Sequence, residues 1–166
     1  MRAGYMVLII AVQIAMLAVA RQAPFSLLRF AVVPFALLLE SKTDFETMAT
    51  DFVKRGVKAK APAAIVGKSG VRHEFAFAVV PESGKPRVVI DTELSVKDVD
   101  EMKVLKFYVK VYDVGPEKAV LCVSPRLGER ASALAKEYRI QVLEDETPRK
   151  LIPKAAKFVS EFSNSK

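Results

Sequence analysis

From residue 43 onward, apolar and polar positions alternate with two different periods, and the change of period marks the elements. In "TDFETMATDFVKRG", Phe45, Met48, Ala49, Phe52 and Val53 recur at helical spacing. Thr43 or Asp44 serves as the cap, Glu46 stands three residues after Thr43 as in a capping box, and Gly56 ends the helix. "VKAKAPAAIVGKSG" reads as an irregular strand closed by a Gly-Lys-Ser-Gly turn. "VRHEFAFAVV" and "PRVVIDTEL" read as strands joined by "PESGK", and so as an antiparallel hairpin. "SVKDVDEMKVLKFYVKVYDVG" is a helix pattern with Ser95 as cap and Gly115 as stop. Its apolar positions Met102, Leu105, Tyr108, Val109 and Tyr112 are expected on one face. "KAVLCVSP" is a continuous apolar run, the mark of a strand covered on both sides. A helix ("RLGERASALAKEYR") and a short strand ("IQVLE") follow. The tail "PRKLIPKAAKFVSEFSNSK" reads as an amphipathic helix, broken or started at Pro153, with Phe158 and Phe162 docking on the core. This order predicts an α/β fold, a mixed sheet flanked by helices on both faces.

Residues 1–40 break this pattern. Their charged groups are Arg2, Arg21, Arg29 and Glu40, and Ala3–Ala20 is an uncharged run of 18 residues. At about 1.5 Å per residue such a helix just crosses a bilayer. The next run, to residue 39, is interrupted by Pro24, Arg29 and Pro34, and an arginine in mid-membrane costs about 2.5–3.5 kcal/mol. The expectation is an apolar segment over 1–40 anchoring a domain over 41–166 to the membrane through residues 3–39. The excess of Arg and Lys after the run places that domain in the cytoplasm. A cleaved signal peptide ("AVA" at 18–20 mimics a cleavage site), a misassigned start and an oligomerisation segment are the competing readings.

Charge adds a partner class. The chain has 26 basic and 19 acidic residues, which become 23 and 18 once the four charges of 1–40 are set aside. A basic balance suits nucleic acid or an anionic membrane surface. Lys54, Arg55, Lys58, Lys60, Lys68 and Arg72 cluster around the first helix and strands as candidate phosphate contacts, each adding salt-sensitive affinity. Lys103, Lys106 and Lys110 form a basic stripe at spacings of three and four, a pattern that also suits a solvated face. The lone cysteine, Cys122, can form no internal disulfide and reads as a buried thiol in a reducing compartment. "GKSG" at 67–70 lacks the upstream glycine of a phosphate loop and precedes a strand, which argues against nucleotide binding. His73 reads as a core or edge histidine.

The order αβββαβ, the phrase "GKSGVRHEFAFAVV" and the acidic tip "VVIDTE" resemble the PD-(D/E)XK, or restriction-endonuclease-like, superfamily over roughly residues 43–143. The nearer likeness is to archaeal proteins of the Mrr and Holliday-junction-resolvase kind. In that superfamily an Asp ends the second strand, and the third carries an acid, any residue, then Lys. The carboxylates hold Mg²⁺, which polarises the scissile phosphate and supplies hydroxide. Matched position by position, the third-strand acid falls on Asp91, the lysine position on Glu93, and the second-strand Asp on Ala76. The resemblance thus implies a metal set of Asp91 and Glu93 with Glu74 or Glu46. Lys103 or Lys106 would stand in for the missing lysine beside Asp91 and Glu93 as catalytic groups. It also implies DNA as partner, and a homodimer, since nucleases of this fold are commonly dimers. Two expectations follow: a nucleic-acid-binding domain with or without Mg²⁺-dependent phosphodiester hydrolysis, or a catalytically inactive membrane-associated module that binds a protein or anionic lipid.

Overall fold

The computed structural model describes residues 44–164. The expected membrane anchor of residues 3–39 and the Thr43 cap lie outside them. Among the described residues no helix is long and apolar enough to cross a membrane.

The first helix, α1 (44–54), buries Phe45, Met48, Ala49 and Phe52 as its period requires, while Val53 stays exposed. Strands β1 (Ala59–Lys60) and β2 (Ala63–Val66) then run antiparallel to β3 (Arg72–Phe75) and β4 (Phe77–Val79). They are halves of one long hairpin, interrupted at Ala61–Pro62 and at Ala76. Ala59 faces Val79 before the break, Ala63 faces Phe75 beyond it, and the register carries through unchanged between them. The interruption changes sides rather than register. Ala59, Phe77 and Val79 pack in the core beneath α1, whereas Ala63 and Phe75 pack in the core on the other face of the sheet. The hairpin therefore bends across the sheet, and its outer half lies against a different helix from its inner half.

Strand β5 (Val88–Leu94) pairs antiparallel with β4 and parallel with β6 (Lys118–Ser124), which pairs parallel with β7 (Gln141–Glu144). The main sheet has the order β1-β4-β5-β6-β7. At its centre β6 is buried from Ala119 to Ser124, as its unbroken apolar run foretold. Burial pushes the Cys122 thiol up to about 12, so it stays protonated and inert at neutral pH.

Between β5 and β6 runs α2 (Glu101–Val114). Its cap is Asp100, whose carboxylate accepts from the Lys103 N–H at 3.2 Å, and not Ser95; Gly115 ends it in the left-handed conformation that glycine adopts without strain. Ser95 instead closes a turn by accepting from the Lys97 N–H. The expected apolar face is corrected in part, since Tyr108 does pack against the core. The helix buries Val104, Phe107 and Val114, and leaves Met102, Val109 and Tyr112 between 55% and 73% exposed. Apolar residues occupy two faces of α2, and period alone does not say which one meets the sheet. The face with Phe107 wins because Phe75 meets it edge-on, with ring centroids 6.4 Å apart.

Two helices complete the layers. Helix α3 (Glu129–Glu137) packs beside α2, and Tyr138 just after it stacks on Tyr108 with centroids 4.0 Å apart. Helix α4 (Pro148–Asn164) covers the other face with α1, burying Leu151, Ala155 and Val159. Pro153 neither starts nor breaks α4; it lies within the helix. Phe158 and Phe162 sit partly buried at its edge. The result is a mixed α/β domain, a five-stranded mixed sheet with helices on both faces.

Candidate functional site

Strand β4 pairs with β5 only as far as Ile90, so from Asp91 to Leu94 β5 is bonded to β6 alone. The sheet splays there, and Asp91 and Glu93 stand on the open stretch. Side chains alternate along a strand, so both follow Val89 onto the α2 side of the sheet. Helix α2 answers with a lysine for each. Lys110 Nζ donates to Asp91 Oδ2 at 2.5 Å and to the Glu74 carbonyl oxygen at 2.9 Å, and lies 5.4 Å from the Phe75 ring centroid. Lys103 Nζ donates to Glu93 Oε2 at 2.9 Å. That hydrogen bond, and then the Glu93 charge, hold the Lys103 ammonium above its ordinary pKa against the opposing cost of burial.

The residues expected to complete a metal site are not brought here. Ala76, at the position of the second-strand Asp, packs on the α1 side of the sheet. Alternation holds across Glu74, Phe75 and Ala76, with Phe75 on the α2 side, and is broken only between Ala76 and Phe77, which share the α1 side. With Phe75 turned inward, Glu74 is exposed, and its backbone oxygen rather than its carboxylate reaches Lys110. Glu46 belongs to α1 in the opposite layer, where it borders a groove with Thr50, Val53, Lys60 and Pro62. Lys106 is exposed on α2. Among the described residues no three His, Cys, Asp or Glu side chains gather as a metal ion requires. A Mg²⁺ ion seeks several oxygen ligands, and here two carboxylates are each bonded to an ammonium. The residues present do not fit that ion.

Lys110 was visible in the sequence only as the last member of the basic stripe. Its role was hidden because the partner, Asp91, is 19 residues away. Asp113 continues the same row by three residues, and a cluster of polar contacts surrounds it. The turn between β2 and β3 folds over the end of α2. Ser69 donates to Asp113 through its N–H (2.8 Å) and its hydroxyl (2.6 Å), and His73 Nε2 lies 2.7 Å from Asp113 Oδ2. The Lys68 N–H donates to the Asp113 carbonyl oxygen at 3.0 Å. Ser69, then His73, then the Ser69 N–H hold the Asp113 carboxyl down at about 2. The aspartate sits between serine and histidine, so the histidine cannot take the serine's proton, and the trio is no nucleophilic triad. It is a clasp.

The six basic residues expected to meet phosphate are all exposed. Lys54 is 3.5 Å from Asp51, Lys58 pairs with Glu82, and Arg55 lies over the Phe52 ring at 5.9 Å. Lys68 and Arg72 belong to the far end of the hairpin, at the clasp.

No family model matches the chain, and no curated protein matches it. Among solved structures it is similar to a protein of unknown function, AF1548, with 14% identity and a TM-score of 0.46 over 60% of this chain and 56% of that one. A second is VC1899 from Vibrio cholerae, with 14% identity and a TM-score of 0.47 over 71% of this chain and 32% of that one. A third is EndoMS in its apo form, with 16% identity and a TM-score of 0.32 over 54% of this chain and 37% of that one. The chain thus spans between about a third and somewhat over half of each of these three proteins.

Proposed function

We propose that the chain is a nucleic-acid-binding domain of nuclease-like architecture that grips phosphate with exposed cations and assigns no work to a metal. The observation that carries this reading is the pairing of Asp91 with Lys110 and of Glu93 with Lys103 at the splayed edge of β5. Each lysine cancels a carboxylate that would repel a phosphate, and the exposed cations at the outer half of the hairpin, which lies against α2, are left to meet it. Hydrolysis at Asp91 and Glu93 would need Mg²⁺ to displace both lysines and a third carboxylate to move in, so the reading includes no hydrolytic step. Residues 3–39 act as the membrane anchor in this reading and hold the domain on the cytoplasmic side; the uncharged run Ala3–Ala20 supports it.

The test takes the full chain with plasmid, branched and single-stranded DNA, in Mg²⁺ or Mn²⁺, beside Asp91→Ala. The expected outcome is binding that weakens steeply with salt and no cleavage by either protein. Cleavage by the parent that disappears in Asp91→Ala would replace this reading with a rearranged metal site.

A further inference from the structure

The hairpin end is built like a contact element. At the end of β2 and just before β3, Val66 and Val71 are 64% and 54% exposed, although nothing in the core calls for valine there. Between and beside them lie Lys68 and Arg72, both exposed, with Arg72 directly across from Val66. Two apolar side chains and two cations therefore share the tip of a two-stranded ribbon.

A free hairpin end would lose much of its affinity in ordering such side chains on binding. This one is already held. Asp113 fastens Ser69 by two hydrogen bonds and His73 by a third, and its carbonyl oxygen takes the Lys68 N–H. Gly67 is part of the same fit: a Cβ there would stand 2.0 Å from Asp113 Oδ2, so any side chain at this position would push that carboxylate out of the clasp.

The geometry points to the Gly67–Arg72 tip as the element that enters a groove of duplex nucleic acid, Lys68 and Arg72 meeting phosphates and Val66 and Val71 facing the groove, with Asp113 as the positioning residue that holds it rigid. The inference rests on the nucleic-acid-binding reading above and names the part that makes contact. A two-stranded ribbon is a size that the major groove, about 12 Å wide, admits. Asp113 is a negative charge beside the proposed phosphate contacts, and its retention there makes sense through position, since by charge alone it opposes binding.

That opposition provides the test. Binding of the full chain to a short duplex is measured across a range of salt, for the parent, Lys68→Ala/Arg72→Ala, Gly67→Ala and Asp113→Asn, with circular dichroism to establish folding. The double variant should lower the slope of log affinity against log salt by about 0.9 for each phosphate it no longer neutralises. Gly67→Ala changes no charge, yet should weaken binding severalfold by forcing Asp113 away. Asp113→Asn removes a negative charge, so electrostatics alone predicts tighter binding while positioning predicts weaker. Tighter binding by Asp113→Asn, or an unchanged slope in the surface double variant, overturns the inference and leaves the nucleic-acid reading standing. Absence of duplex binding by the parent overturns both. Equal losses on a single strand of the same length overturn the groove assignment.

Discussion

Two carboxylates on or against α2, Asp91 and Asp113, are held in opposite ways. Asp91 comes from a strand and meets an ammonium from the helix; Asp113 comes from the helix and meets a hydroxyl, a backbone N–H and an imidazole from a turn. The first arrangement cancels charge and leaves the splayed edge of the sheet neutral. The second keeps its negative charge and uses it for geometry, fixing a turn that would otherwise be free. The difference teaches that one helix edge can serve both ends: lysines along it neutralise a strand, and an aspartate at its finish orients a loop. An acidic residue on a sheet is thus no sign of a metal until its neighbours in space are known.

The largest effect should come from Asp91→Ala. Its side chain and that of Lys110 are only 22% and 32% exposed, so the variant leaves a sheltered ammonium with a backbone oxygen alone. We expect a loss of about 1.5–3 kcal/mol by urea unfolding. Adding Lys110→Met should recover much of it, as coupled partners do. A single variant as stable as the parent would mean that Lys110 reaches water freely and that the pair is ornamental.

The Asp113 clasp should reveal itself through pH. Its carboxyl titrates at about 2 in the folded chain, below the value of about 3.9 for a free aspartate. A depressed folded-state pKa gives stability that is fully present above the unfolded value and lost as pH falls through the folded one. The parent should therefore weaken between about pH 4 and 2 more steeply than Asp113→Asn, read from denaturation midpoints at each pH. Parallel profiles would show that the clasp makes no ionised contact.

The smallest effect belongs to Glu93→Gln. Lys103 is 46% exposed, and an ion pair so open to water contributes under about 1 kcal/mol. The difference from the parent should vanish at high salt, whereas that of Asp91→Ala should persist. Equal salt dependence of the two would erase the distinction between a sheltered and an open pair.

Much of the fold was legible in the chain. The period of Phe45, Met48, Ala49 and Phe52 marked α1, the unbroken "KAVLCVSP" marked a central strand, and "PESGK" marked the hairpin that joins β4 to β5. These signals are local: a helix period, a strand covered on both faces and a turn each lie within a short stretch of sequence. The site was legible only in part. Asp91 and Glu93 could be singled out as acids on an apolar strand, and Lys103, Lys106 and Lys110 as a stripe, but which lysine met which acid could not.

Three matters were left to the tertiary structure. The bend after Ala76 set Phe77 on the same face as Ala76, because a strand obeys its period of two only while it stays straight, and Phe75 on the α2 side turned Glu74 to solvent. Helix α2 chose the face with Val104 and Phe107 over the equally apolar face with Met102 and Val109, because Phe75 arrives on that side from 32 residues earlier in the chain. Asp113 found Ser69 and His73 across 44 and 40 residues. Sequence determines what a segment does by itself. Which segments meet, and so whether a carboxylate faces a metal, a lysine or a turn, follows from packing between residues that only the folded chain brings within a few ångströms.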